Sequence, residues 1–391
     1  MANKGKIGVI GAGAMGSGIA QIAASAGHEV VLYDNNSDSV ELAGNKLVKI
    51  FDRLVEKGKK TRVEADEILG RLELTTSLER VDECMLVVEA IIENLDIKKQ
   101  VFQKLENIVG KECILATNTS SLSVTSIAAA CQHKGRVIGL HFFNPAPLMP
   151  LVEVIPALTT DELTVQMAKS LMLEWGKAPA IAKDTPGFIV NRVARPFYGE
   201  ALRILEEGIA DVATIDWAMK EIGGFRMGPF ELMDFIGHDV NYVVTETVFR
   251  EFYYDPRYKP SLSQKRLVEA GYLGRKSGRG FYDYSEASEA PVPKMDKAIG
   301  GKIVNRILAM LINEAADALF LQVASAEDLD LAMTKGVNYP KGLLQWANDM
   351  GLDHVLNILE DLHEEYREDR YRASPILRKM SSKGRLFFEE A

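Results

Sequence analysis

Residues Lys6–Asp34 read KIGVIGAGAMGSGIAQIAASAGHEVVLYD. Lys6 to Ile10 is a short apolar run suited to a buried strand, and Gly11, Gly13 and Gly16 follow it at GxGxxG spacing. Ile19, Ile22 and Ala23 then begin a helical period, and Val30, Val31 and Leu32 form a second strand ending at Asp34. Glycines in such a strand–turn–helix allow a tight turn, a close approach of backbone to a pyrophosphate, and helix–strand contact. The helix N-terminus adds oriented N–H donors. A lone GxGxxG is weak, and a plain structural turn is the alternative. Here the strand, the helix and an acid at roughly the 20-residue distance are all present. Gly11, Gly13 and Gly16 therefore read as a dinucleotide turn. A carboxylate at Asp34 accepts from the adenosine ribose hydroxyls and repels a 2′-phosphate, and Asn35 and Asn36 follow it with no arginine. The cofactor reads as NAD rather than NADP.

Further strands extend this unit. Met85 to Glu89 opens MLVVEAIIEN, which places Glu93 just past a strand's C-terminal end, where ligands bind in open parallel sheets. A helix-stabilising carboxylate is the plainer role for Glu93. Cys113 to Ala116 is the next strand, followed by Thr117-Asn118-Thr119-Ser120-Ser121-Leu122, where Asn118 and Ser120 could simply cap a helix from Val124. Arg136 to Pro156 (RVIGLHFFNPAPLMPLVEVIP) reads as a strand ending at His141, a loop stiffened by Pro145, Pro147 and Pro150, and a strand carrying Glu153. If the second strand folds back, Glu153 meets His141, and a carboxylate beside an imidazole fixes its tautomer and raises its basicity. A strand-end His is often a core residue and a strand Glu often an edge residue. Facing each other where the dinucleotide binds, they read as an acid/base pair. Ala178 to Ile181 is a last strand.

The chain has 391 residues, 47% hydrophobic and 26% charged, enough for two or three domains of ordinary globular composition. A net charge of −9 argues against nucleic acid. No apolar run approaches the roughly 20 residues of a membrane helix. The N-terminus enters a strand at once, which leaves no room for a leader. Cys84, Cys113 and Cys131 lack CxxC spacing and read as buried reduced thiols, with neither metal nor disulfide, and the compartment as cytoplasmic. The lysines of Glu56-Lys57-Gly58-Lys59-Lys60 read as a solvated turn between two helices. Contact with substrate phosphates is the sharper alternative for Lys57, Lys59 and Lys60.

From Thr185 the spacing becomes helical, with Thr185 as an N-cap and Pro186 at the first helical position. GFIVNR at Gly187 recurs as GKIVNR at Gly301, an offset of 114 residues. The same offset relates Glu200 to Glu314, Asp216 to Asp330, Gly228 to Gly342 and Gly237 to Gly351, and GRGFYDY after Ser277 is echoed by GRLFFEE after Lys383. So many matches at one spacing indicate duplication. The predicted organisation is an α/β Rossmann-type N-terminal domain over 1–184, an all-α domain over 185–285, a linker over 286–297, and a second copy of the α domain over 298–391. The copies differ at Phe188 against Lys302 and at MGPFEL against PKGLLQ. Asn305, the counterpart of Asn191, reads as structural.

GAGAMG, EAIIEN, NTSSL, HFFNP, LVEVI and DTPGFIVNR, in this order, resemble the L-3-hydroxyacyl-CoA dehydrogenases. The resemblance implies NAD-linked oxidation of an L-3-hydroxyacyl-CoA to the 3-ketoacyl-CoA. It implies His141 as general base oriented by Glu153, with Ser120, Asn144 and Asn191 at the substrate. Glu93 and Asn118 would join the glycines and Asp34 on the cofactor side. Shorter members dimerise through the α domain, so the duplicate implies an internal pseudo-dimer in a monomer, or a homodimer. A dehydrogenase of a free hydroxy or sugar acid, and a non-catalytic NAD(H)-binding protein, are the rivals. A short acyl chain as in 3-hydroxybutyryl-CoA is the first expectation and a dicarboxylic one as in 3-hydroxyadipyl-CoA the next, and nothing in these residues decides between them.

Overall fold

The structure is a computed structural model, and it describes residues 4–388. Two compact units meet between Thr185 and Pro186 in the chain. The first is built on one sheet of eight strands: β1 (Lys6–Ile10), β2 (Glu29–Tyr33), β3 (Leu72–Thr75), β4 (Cys84–Glu89), β5 (Ile114–Thr117), β6 (Val137–Phe142), β7 (Leu151–Pro156) and β8 (Ala178–Ile181). Their order is β3-β2-β1-β4-β5-β6-β7-β8. β1 to β6 run parallel; β7 turns back antiparallel on β6, and β8 pairs parallel with β7. The strand order reverses at β1, which pairs with both β2 and β4, so the crevice beyond their C-terminal ends is the natural ligand position. β1, β4 and β5 are almost wholly buried apolar runs, as strands covered on both faces must be.

Helices Ala14–Ser25, Ser37–Glu56, Arg62–Gly70, Leu95–Ile108 and Glu162–Glu174 pack around this sheet. Ser37–Glu56 is capped by the Asn36 side chain, and Arg62–Gly70 by a reciprocal Thr61–Glu64 box. β3 is not anticipated from sequence, because LELT is short and only partly buried. The three thiols are free and buried, and burial pushes Cys84 and Cys113 up to about 12 and Cys131 up to about 11, so none is a ready nucleophile. Among the described residues no helix is long and apolar enough to cross a membrane.

The second unit is helical. Its opening departs from the expected N-cap at Thr185: Pro186–Ile189 form a turn, with Gly187 at φ +74° and Phe188 at φ +47°, and the helix starts at Val190. Two successive left-handed residues cannot begin a right-handed helix. A second break at Ala194 separates Val190–Val193 from Arg195–Glu206. Pro196, with no N–H to give the Arg192 carbonyl, accounts for it. The corresponding stretch after Asp296 runs unbroken as Lys297–Phe320, 24 residues.

The repeat matches have physical roles. Asp216 accepts from the N–H groups of Phe230 (2.9 Å) and Glu231 (2.9 Å), and Asp330 from Leu344 (2.8 Å) and Gln345 (2.9 Å). A Cβ at Gly228 or Gly342 would lie 2.3 or 2.2 Å from these carboxyl groups, so both copies keep glycine. Asp234 holds the Phe281 amide and Asn348 the Phe387 amide, each at 2.9 Å, which explains the two tail motifs; Glu389 and Glu390 of the second lie outside the described residues. Across the two copies, Arg192 Nε donates to Glu314 (2.7 Å) and Arg306 Nε to Glu200 (3.0 Å), a reciprocal pair of buried ion pairs.

Candidate active site

β1 delivers the chain into the glycine turn. Gly11 has φ +105°, and an added Cβ at Gly16 would sit 1.8 Å from the Gly11 carbonyl oxygen, whereas one at Gly13 would meet nothing within 4 Å. Gly11 and Gly16 therefore shape the turn, and Gly13 faces open space. At the end of β2 the Asp34 carboxylate accepts from the Ala12 N–H (2.8 Å) and the Asn36 N–H (3.0 Å), which fixes it beside the turn. Gly11, Gly13, Asp34, Asn35 and Ile91 line a cavity of about 550 Å³. An acid at the strand end, an open glycine face and this volume fit the adenosine half of NAD.

Glu93 follows β4. Its Oε1 accepts from Thr119 Oγ1 (2.6 Å), the Ser120 N–H (2.9 Å) and Ser120 Oγ (3.4 Å), and Lys98 lies 3.3 Å from Oε2. Burial works to raise its pKa, but the Lys98 ammonium and these hydrogen bonds outweigh it and hold the carboxyl below its ordinary value. The helix that follows begins at Leu95 and is capped by Asn94, so Glu93 is spent on the β5 loop rather than on a first turn. Asn118 does not cap a helix either: its Oδ1 accepts from the Phe142 N–H at 2.8 Å, tying the β5 loop to the end of β6. The helix from Val124 is capped by Ser123 and by the Asp184 carboxylate, which accepts from the Val124 and Thr125 N–H groups at 3.1 and 2.7 Å.

β6 runs one residue beyond His141, and the β6/β7 register sets His141 directly opposite Glu153. His141 Nδ1 and Glu153 Oε2 are 2.6 Å apart, with Glu153 fully buried and the Phe143 ring 4.4 Å from the imidazole. A carboxylate held there accepts from Nδ1–H and fixes that tautomer and the ring's orientation.

The profile of the 3-hydroxyacyl-CoA dehydrogenase NAD-binding domain matches residues 6–185, and that of the C-terminal domain of the same enzymes matches twice, over 187–284 and 301–388. The chain belongs to the 3-hydroxyacyl-CoA dehydrogenase family. A 3-hydroxyadipyl-CoA dehydrogenase of Escherichia coli strain K12 is 38% identical, over 97% of this chain and 98% of its own. A probable 3-hydroxybutyryl-CoA dehydrogenase of Bacillus subtilis strain 168 is 44% identical over 71% of this chain and 96% of its own. The crystal structure of a 3-hydroxybutyryl-CoA dehydrogenase from Escherichia coli K12 superposes with a TM-score of 0.94 at 38% identity, covering 97% of this chain and 99% of that one. Members of this NAD-dependent family are oxidoreductases.

Within the dehydrogenase fold, several groups escaped sequence reading. Lys98 is fully buried, 2.6 Å from the equally buried Glu89, whose other oxygen accepts from Thr117. Lys177 donates to the Ala146 (2.6 Å) and Met149 (2.9 Å) carbonyls and so clamps the proline loop after His141. Neither lysine stands at a telling spacing, so no local signal marks them. Asn144 lines a second cavity of about 410 Å³ with Gly13, Ser17, Lys46, Ile50 and Pro147. The helix Ser37–Glu56 reaches that cavity through Lys46, while Lys57 and Lys59 are exposed elsewhere. Asn191 stands on the Val190–Val193 helix of the second unit.

Proposed function

We propose that this chain catalyses the reversible oxidation of an L-3-hydroxyacyl-CoA to the 3-ketoacyl-CoA. Bound NAD supplies the acceptor for the hydride that leaves C3. His141 takes the hydroxyl proton at Nε2, and the Glu153 carboxylate stabilises the imidazolium that results. Ser120, Asn144 and Asn191 bind the substrate, with Ser120 and Asn191 at the reacting oxygens. Gly11, Gly13, Gly16 and Asp34 bind the dinucleotide, and Glu93 and Asn118 order the loop at its nicotinamide end. The observation carrying this reading is the 2.6 Å contact between His141 and a fully buried Glu153.

We further infer that 1–184 is the NAD-binding domain, that 185–285 and 298–391 are the α-domain copies joined by 286–297, and that the copies form a pseudo-dimer within one cytoplasmic chain. The reciprocal Arg192–Glu314 and Arg306–Glu200 pairs support the pseudo-dimer, because an isologous interface produces that pattern. Homodimerisation through the same face would need it uncovered.

The test is NADH oxidation with acetoacetyl-CoA, wild type beside His141→Gln. The variant should lose on the order of 10²–10⁴ in kcat while still binding NADH. Equal rates would remove His141 as the base, and an inactive wild type that binds NADH would sink the substrate class.

A further inference from the structure

The loop that follows His141 runs Phe143-Asn144-Pro145-Ala146-Pro147-Leu148-Met149-Pro150. Its prolines offer no N–H, so the loop is held in large part through its carbonyls, and these need donors from elsewhere. The Pro145 carbonyl accepts from the Leu148 (2.9 Å) and Met149 (3.1 Å) N–H groups, which closes an internal turn. At the two ends, Asn118 takes the Phe142 N–H and the Ala178 N–H donates to the Pro150 carbonyl at 2.8 Å. Between these anchors, Lys177 Nζ donates to the Ala146 carbonyl (2.6 Å) and to the Met149 carbonyl (2.9 Å).

The two buried lysines of this unit are held differently. Lys98 lies against the Glu89 and Glu93 carboxylates, whereas no carboxylate pairs with Lys177 among the described residues. Lys177 is 8% exposed, and burial lowers its pKa. An ammonium withdrawn from water and given only carbonyls is costly. The return is two charge-assisted hydrogen bonds, each stronger than a neutral donor would make.

The loop so held faces two ways. At its start the Phe143 ring lies 4.4 Å from the His141 imidazole. In its middle it abuts the helix Ala14–Ser25: a Cβ on Gly18 would lie 3.2 Å from Ala146 Cβ and 3.1 Å from Pro147 Cδ. Residues 144–148 form one wall of the cavity of about 410 Å³ that Gly13, Ser17 and Ile50 also line, and Lys177 itself does not line it. We propose that Lys177 is a positioning residue for the dehydrogenase reaction: by fixing the Ala146 and Met149 carbonyls it sets this wall, and with it the seat of the thioester beside His141. This rests on the dehydrogenase reading, with His141 as base and Asn144 at the substrate. The adenosine cavity is lined by no residue of the loop, so dinucleotide binding should not depend on the clamp.

The test uses the full chain, with NADH oxidation by acetoacetyl-CoA and NADH affinity from fluorescence titration. Lys177→Met keeps an apolar stem and loses the donors. It should raise the acetoacetyl-CoA KM and lower kcat/KM by about 10²-fold, the loss expected when a reacting geometry shifts by about 1 Å. The Kd for NADH should stay unchanged. Lys177→Arg keeps charge and donors and should recover much of kcat/KM; a loss as large as that of Lys177→Met overturns the role of the donors. A folded Lys177→Met with wild-type KM and kcat means that the lysine only stabilises, and it overturns the proposal. So does a loss of NADH affinity equal to the loss in kcat/KM. Should Lys177→Met fail to fold, Gly18→Ala moves the same wall from the other side, because its Cβ crowds Ala146 and Pro147. It should raise the thioester KM several-fold at constant NADH affinity, and an unchanged KM overturns the proposal. A wild type that binds NADH and turns over no such thioester removes the dehydrogenase reading and this inference with it, whereas the other adverse outcomes remove the inference alone.

Discussion

The two copies of the α domain differ in a systematic way. What both keep is packing: an aspartate capping the next helix, a glycine against it, a side chain pinning the tail, and one arginine of each reciprocal ion pair. They differ at their opening helices: the first has Phe188 in the left-handed region, the break at Ala194, and Arg195 bonded to a neutral hydroxyl. The second, freed of these, forms an unbroken helix with apolar residues at the matching positions.

That division can be broken most forcefully at the shared features. Arg192→Met and Arg306→Met each remove a charged hydrogen bond from a buried carboxylate that keeps a second arginine, Arg257 beside Glu314 and Arg370 beside Glu200, and each should destabilise the full chain by about 1.5–3 kcal/mol in urea titrations. A large cost for one and none for the other would deny the symmetry of the interface. At the unshared function, Asn191→Ala should lower kcat/KM for the 3-hydroxyacyl thioester by about 10²–10³-fold. Asn305→Ala should leave it unchanged. Equal losses would mean that both asparagines serve structure.

A smaller effect sharpens the capping comparison. Asp216→Ala and Asp330→Ala remove the paired amide contacts and should each cost about 1–2 kcal/mol of thermal stability. Asp216 should cost more, since it also accepts from Tyr282 at 2.7 Å. The smallest effect concerns pH. Burial raises the Asp234 pKa, but His238 and the Tyr282 and Phe281 amides more than reverse this and hold it below the ordinary 3.8. Its contribution is therefore complete above 3.8 and lost as pH falls through the lower folded value. Asn348 does not titrate. Amide exchange at Phe281 should accelerate in acid before that at Phe387, and Asp234→Asn should remove the difference.

Sequence reading captured the elements whose signals are local. The glycine turn with Asp34, the strands at Lys6–Ile10 and Ala178–Ile181, and the repeat all follow from periodicity and turn chemistry within short windows. Even the opposition of His141 and Glu153 was within reach, because only a tight proline loop separates their strands. The Thr185 cap failed because Thr-Pro looks the same whether a helix or a left-handed turn follows.

What tertiary structure alone decided is the choice of partner for each buried charge. Asp184 reaches Ser123 across 61 residues and Arg192 reaches Glu314 across 122. Nothing in the sequence separates Arg192, with its acid, from Arg195, without one. Periodicity places a side chain on a face, since backbone geometry repeats every few residues. Whether a charge there is balanced depends on which distant segment folds against that face, and this is fixed only when the chain has closed.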